Sequence, residues 1–347
     1  MNKYEADMDR RIMDWAIEKA KTKYADNVAL ILYHDSYRLA EDRTVYYPSH
    51  IVSDGGPLSG IARTVMVGGL GYDFFEQPWE AFERMAEVRG GYPTTLADSE
   101  IAYARSKEDL QRFLSLRETL KKNLADPVYL YGIALEWLDE AMKLYTSMAF
   151  ETNFSRVREA GAYIADYLAL AVSRMNGTYF PANSRIPELK AFAKKPEKFL
   201  EKYQALKTLT TAEDILRHTR EMIAETRLWM EREDPREKKK PVPDYGWLSQ
   251  WYQECSYYFH RIYRSCERGE TDLAFWQVCW FQPDLDDVAK QFGIPELDAA
   301  AHFRADDLAA SANAVKRAEE NILQALGEQD TTLDAYGSVD EFLQENP

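Results

Sequence analysis

Asn27-Val28-Ala29-Leu30-Ile31-Leu32-Tyr33 decides how the N-terminal part of the chain is read. Six apolar residues run from Val28 to Tyr33 without alternation, and at that length they predict a β-strand covered on both faces. An edge strand of this composition would invite pairing with other chains, so the run belongs inside its sheet. Upstream, Met8, Ile12, Trp15, Ala16, Ala20 and Tyr24 recur at three- and four-residue spacing and predict an amphipathic helix over about residues 4 to 24. Downstream, a polar stretch from His34 to Arg43 leads to a β-rich patch at Thr44-Val45-Tyr46-Tyr47. Pro48 argues against a long central strand there, because it has no amide to give a ladder.

Further strands are expected at Arg63 to Val67, at Tyr72-Asp73-Phe74-Phe75 and at Ile101 to Ala104. Ser53-Asp54-Gly55-Gly56-Pro57 reads as a turn, and Gly68-Gly69 as a strand break. Pro78 stands near the start of a helix through Trp79, Phe82 and Met85, and Ser106 with Asp109 forms a capping pattern for the next. Beyond about residue 125 strand signals stop. Ala134, Leu138, Ala141, Tyr145 and Met148 make one helical stripe; Val157 to Met175 makes another, closed by Asn176-Gly177. Thr210 with Glu213 is the expected cap of a later helix. Glu231 to Asp244, with Lys238-Lys239-Lys240-Pro241, reads as an exposed connection, and a last long helix runs to about Gly327. The expected fold is therefore α+β. A small mixed-sheet domain over 1–122 precedes an all-helical bundle over 123–347, and residues 126 to 330 hold almost no strand.

Forty-three Lys and Arg stand against 58 Asp and Glu, a net charge of −15. Such a surface repels a phosphate backbone, which argues against nucleic acid, and attracts a small polycation. The longest apolar stretch, Val128 to Leu138, contains Glu136 and is too short for a bilayer, so no membrane association is expected. Met1 to Asp7 is charged where a secretory leader would be apolar. The three cysteines, Cys255, Cys266 and Cys279, form no CxxC pair, and the expected location is cytoplasmic. A homodimer is left open. The aromatic run Trp247, Trp251, Tyr252, Tyr257, Tyr258 and Phe259 reads as helix core or interface, with a sugar-stacking platform as the alternative.

No P-loop, dinucleotide fingerprint, nucleophile elbow or HExxH motif is present, and the five histidines show no metal-ligand spacing. What remains is the order of N-terminal elements: helix, buried strand, polar turn, second strand, Gly-rich turn, strand, and a strand carrying one acidic residue. Together with Gly71-Tyr72-Asp73-Phe74-Phe75-Glu76-Gln77-Pro78-Trp79-Glu80 and Asn176-Gly177-Thr178-Tyr179-Phe180, this order resembles the nucleotidyltransferase superfamily. It resembles in particular bacterial proteins similar to aminoglycoside nucleotidyltransferases. The resemblance spans about residues 5 to 125 in detail. It implies Mg²⁺ and a nucleoside triphosphate as cofactors, and transfer of a nucleotidyl group to a hydroxyl of a small cationic acceptor such as an aminoglycoside.

In that family Gly-Ser ends the first strand, Asp-x-Asp lies on the second, and a third carboxylate lies on a later strand. Two hard cations need that many oxygen ligands. Here Tyr33-His34-Asp35-Ser36-Tyr37 keeps the serine but puts Asp35 in place of glycine. Asp42 preserves one member of the Asp pair, and the better-spaced Ser49-His50-Ile51-Val52 preserves neither. Asp73 matches the third carboxylate. The resemblance thus implies Asp42 and Asp73 as metal-holding catalytic residues and Ser36 as a phosphate contact, in a degenerate motif. Each has a plainer reading: Asp73 as a carboxylate in a turn after Gly71, Asp42 as a turn residue beside Glu41, Ser36 in local turn hydrogen bonding. The alternative for the whole chain is a non-catalytic relative that binds a ligand or a protein.

Overall fold

The computed structural model describes the chain apart from residues 1–2, 35–37, 41–42, 45–46, 54–60, 68–69, 90–92, 182–184, 237–241, 330 and 347; at 3–9, 34, 38–40, 43–44, 47–50 and 70–72 it describes the backbone alone. The turn expected at Asp54 to Pro57 and the break at Gly68-Gly69 lie outside the described residues.

Helix α1 (Lys3–Lys21) leads into β1 (Val28–His34), followed by a small antiparallel pair, β2 (Arg38–Ala40) and β3 (Arg43–Thr44). Strands β4 (Tyr47–Ser53), β5 (Thr64–Val67) and β6 (Leu70–Pro78) follow, then α2 (Trp79–Ala86), α3 (Thr94–Asp98) and β7 (Glu100–Ala104). The main sheet has the order β5-β6-β4-β1-β7. β1 pairs antiparallel with β4 on one side and β7 on the other, which is the interior place its continuous apolar run requires. β4 and β6 run parallel, and β5 closes the far edge antiparallel to β6.

Both faces of the sheet are covered. Leu30, Leu32 and Val52 pack with Trp79, Phe82, Phe113 and Leu120 on one side. Val28, Ile31, Ile51 and Phe74 pack with Ala16 and Ala20 of α1 on the other. Pro48 does lie in an interior strand, contrary to expectation. It is the second residue of β4, where pairing to β1 is irregular between Leu32 and His34, so the missing amide falls outside the regular ladder.

Helix α4 (Lys107–Leu124) starts at the expected cap: Ser106 Oγ accepts the Asp109 amide at 3.0 Å. Helices α5 (Pro127–Met148), α6 (Phe154–Met175), α7 (Ile186–Ala191), α8 (Phe199–Ala205) and α9 (Ala212–Arg232) follow. Gly177, at φ +69°, ends α6 in the left-handed conformation that glycine tolerates best. The cap of α9 is Thr211, whose Oγ1 accepts the Asp214 amide at 3.1 Å, and not Thr210. Thr-Thr-Ala-Glu-Asp satisfies the pattern in two registers, and the later one wins. Among the described residues, no strand follows Ala104.

The change from mixed to helical structure near residue 122 is not the break between compact units. These run from Met1 to Arg236 and from Glu237 to Pro347. Leu130 of α5 is buried in the same cluster as Leu30 and Phe82. Tyr129 Oη donates to the Glu87 carbonyl at 2.7 Å, and Tyr179 Oη to Asp98 Oδ1 at 2.6 Å. These contacts tie the first helices of the expected bundle to the sheet.

The second unit consists of α10 (Tyr245–Glu267), α11 (Thr271–Phe292), α12 (Leu308–Gly327) and the short α13 (Val339–Glu345). Phe259, Ile262, Phe281, Leu285, Val315 and Ile322 form its core. Most of the aromatic run is spent on this packing. The Trp251 ring lies parallel to Phe281 at 6.1 Å, Tyr258 stacks on Phe281 at 5.3 Å, and Trp247 stacks on Phe292 at 5.9 Å. Glu319 of α12 accepts from Tyr252 Oη at 2.9 Å and Tyr263 Oη at 2.5 Å, clamping α10 to α12. Among the described residues, no helix is long and apolar enough to cross a membrane.

Candidate functional site

Of the residues expected to carry chemistry, Ser36, Asp42 and the intruding Asp35 lie outside the described residues. His50 is placed by backbone register, opposite Leu32 of β1 and Phe75 of β6. Asp73 is described in full. It stands in β6, an interior strand, opposite Thr64 of β5, and Thr64 Oγ1 donates to Asp73 Oδ1 at 3.0 Å. The carboxylate is half-buried and belongs to a strand, not to a turn after Gly71.

Strand alternation sorts its neighbours. Phe74 is buried toward α1, where its ring meets Trp15 edge-on at 5.8 Å. Asp73, Phe75 and Gln77 therefore share the opposite face, and Glu76 shares the face of Phe74. Glu76 Oε2 and Gln77 Oε1 are both buried without a hydrogen-bond partner among the described residues. A buried carboxylate oxygen on this strand was not singled out from the sequence. The signal was present, since Glu76 follows Phe74 at the strand period of two, but it places Glu76 away from Asp73.

Two Mg²⁺ ions need several converging carboxylates. The described residues offer Asp73 alone at this point of the sheet, with one oxygen already bonded to Thr64. No group of three His, Cys, Asp or Glu among them could hold a metal ion. These residues do not fit a two-ion site.

The other segment carrying the resemblance is a structural tie. Asn176 Nδ2 donates to the carbonyls of Val172 at 2.8 Å and Lys194 at 2.6 Å, and its Oδ1 accepts the Lys194 amide at 3.1 Å. Tyr179 reaches Asp98, and its hydroxyl is pushed well above the ordinary tyrosine range by burial and by that carboxylate. Arg174, 1% exposed, donates to Ser173 Oγ and to the Thr178 carbonyl, each at 3.0 Å. Burial, with Arg185 nearby, lowers the pKa of its guanidinium to about 10. A cavity of about 250 Å³ beside Arg174 is lined also by Lys194 and Glu233, and an open groove of about 520 Å³ lies between α5 and α9. Asp73 lines neither.

No family model matches the chain, and no curated protein matches it. Among solved structures, the chain is similar to a nucleotidyltransferase-like protein from Exiguobacterium sibiricum 255-15. The two share 10% identity and a TM-score of 0.36, over 64% of this chain and 75% of that one.

Proposed function

We propose that the sheet region of this chain is a nucleotidyltransferase-like domain. Its activity is transfer of a nucleotidyl group to a hydroxyl of a small cationic acceptor, with aminoglycosides as the acceptor class. One observation supports the reading above the others. Asp73 occupies the middle of an interior strand that runs parallel to β4, and Thr64 fixes its carboxylate. The net charge of −15 favours a cationic acceptor over a polyanion.

The activity calls for a nucleoside triphosphate with Mg²⁺, and the described residues do not supply a two-ion donor set. The role of Asp73 is limited to a fixed negative charge, oriented by the Thr64 hydroxyl. Ser36 as a phosphate contact and Asp42 as a second carboxylate belong to the same proposal. Asp35 weakens nucleotide binding, because an added carboxylate beside a triphosphate repels it and is only partly screened in a cleft.

Calorimetric titration with Mg-ATP and Mg-GTP, followed by pyrophosphate release in the presence of kanamycin, tests the reading. Expected are binding no tighter than about millimolar, or about −4 kcal/mol, tighter binding by Asp35→Gly, and acceptor-dependent pyrophosphate release that Asp73→Asn abolishes. If neither nucleotide binds and no pyrophosphate forms, the fold serves a ligand other than a nucleotide. Retained release by Asp73→Asn would make that carboxylate a bystander.

A further inference from the structure

The second unit carries 10 Lys and Arg against 21 Asp and Glu, so −11 of the chain's −15 falls on its 111 residues, 237–347. On its helix α11 two tryptophans stand in the open: Trp276 is 52% and Trp280 69% exposed. Their rings stack on each other, with centroids 5.9 Å apart and planes 30° from parallel. Leu273, 43% exposed, extends the apolar surface, and Phe275 borders it against Phe303 at 5.3 Å. Indoles this large are ordinarily buried, and they are the residues most enriched at the centres of protein interfaces.

The spacing gives the surface its chemistry. Asp272, Trp276, Trp280 and Asp284 follow one another at four-residue intervals, so they lie along one stripe of the helix, and Asp287 continues it one turn on. At about 1.5 Å per residue the stripe from Asp272 to Asp284 is about 18 Å long. All three carboxylates are exposed, and none makes an ion pair with a described residue. Pro283 lies inside the same helix and has no amide to offer the Cys279 carbonyl, which leaves that acceptor without its usual helical donor.

We propose that this stripe is a docking surface for an arginine-bearing segment of another protein. A guanidinium stacks flat on an indole and forks onto a carboxylate, so stacked tryptophans between aspartates match arginine better than lysine. The stripe is an exposed ridge, which suits a macromolecular partner more than a small molecule seeking a concave site. A second copy of this chain is the poorer occupant, since it would set two strongly acidic faces against each other. The proposal does not depend on nucleotidyl transfer in the first unit.

Fluorescence anisotropy with labelled deca-arginine and deca-lysine peptides tests this on the full chain. Deca-arginine is expected to bind at least several-fold tighter than deca-lysine. Trp276→Ala/Trp280→Ala is expected to weaken deca-arginine at least tenfold with an unchanged thermal melt. Asp272→Asn/Asp284→Asn, which leaves the rings in place, is expected to weaken it and flatten its salt dependence. Three results would overturn the proposal: no binding by the unaltered chain, unchanged affinity in both double variants, or a light-scattering dimer that Trp280→Ala dissociates, which would make a second copy the occupant.

Discussion

Gly161 of α6 stands where the helix crosses α9. A β-carbon built there would meet Ile215 Cγ2 at 2.6 Å, with Thr219 Cγ2 at 3.6 Å and Leu206 Cδ2 at 3.9 Å. Carbon atoms rest at about 3.5–4.0 Å, so Gly161→Ala falls short of room by about 1 Å. Ile215 is 1% exposed and its branched side chain is stiff at χ1 in a helix, so relief has to come from moving one helix against the other. Overpacking of this kind costs about 1–3 kcal/mol, while alanine in a helix interior is worth about 1 kcal/mol over glycine. The expected net effect is a loss of about 1 kcal/mol. In a unit of 236 residues, that lowers the unfolding temperature by about 2–4 °C. Ile215→Ala alone is expected to cost about 2–5 kcal/mol through the cavity it leaves. In that background the clash is gone, and Gly161→Ala should stabilise by about 1 kcal/mol. The change of sign is the measurement: a double-mutant cycle followed by hydrogen exchange of the α6 and α9 amides through a thermal ramp. Equal stabilisation by Gly161→Ala in both backgrounds would show that α6 and α9 do not approach as closely as 2.6 Å implies.

Leu30 is fully buried in β1, between Val52 and Ala104 on its two neighbours, and Leu30→Asp should leave the first unit unfolded because it buries an unpaired charge. A soluble variant with an unchanged melting temperature would contradict this. Tyr252 and Tyr263 should make the second unit sensitive to alkali. Burial and then the hydrogen bond to Glu319 raise both hydroxyls above the ordinary value of 10.0. Stability is therefore fully present below pH 10 and falls as pH rises past it, because only the unfolded chain ionises there, by at most about 1.4 kcal/mol per pH unit for each tyrosine. Circular-dichroism melts from pH 9 to 11 check this; Tyr263→Phe should be less stable at pH 8 yet flatter with pH, and an unchanged slope would remove that tyrosine from the linkage.

Elements whose burial is settled by their own composition were legible from the chain. Val28 to Tyr33 is apolar at every position, so only an interior strand satisfies it, and β1 is one. Ser106 and Asp109 make a cap that closes within three residues, and it forms as read. Elements that depend on what lies opposite were less legible. The stripe on α5 predicts an apolar face but not its partner; Leu130 faces the sheet core while Ala134 and Leu138 join the helical core. That division of one helix between two cores moves the break between units from residue 122 to Arg236, beside the lysine run that was read as an exposed connection. Pro48 misled for a related reason. Its missing amide matters only where the ladder is regular, and regularity is a property of the paired strand, not of proline itself.

The site follows the same logic at finer scale. Asp73 is the single acidic residue of the strand-forming segment Tyr72 to Phe75, and the strand is there with Thr64 Oγ1 donating to the carboxylate. Whether carboxylates converge is a separate question, fixed by pleat and register, not by spacing along the chain. Asp73 and Glu76 are three residues apart in one strand, which puts them on opposite faces, so two acidic groups this close in sequence cannot share a cation. Any second ligand that the sheet itself supplies to Asp73 must come from its own face: from Gln77 two positions beyond Phe75, or from a neighbouring strand. β6 has two such neighbours: β5, whose Thr64 stands opposite Asp73, and β4, whose His50 stands opposite Phe75. Neither is a carboxylate. A metal ion at Asp73 would therefore need its remaining oxygen ligands from residues beyond β4, β5 and β6, and Asp42→Asn decides whether one of them is Asp42. Loss of Mg²⁺-dependent nucleotide binding in that variant places Asp42 at the site, and unchanged binding excludes it.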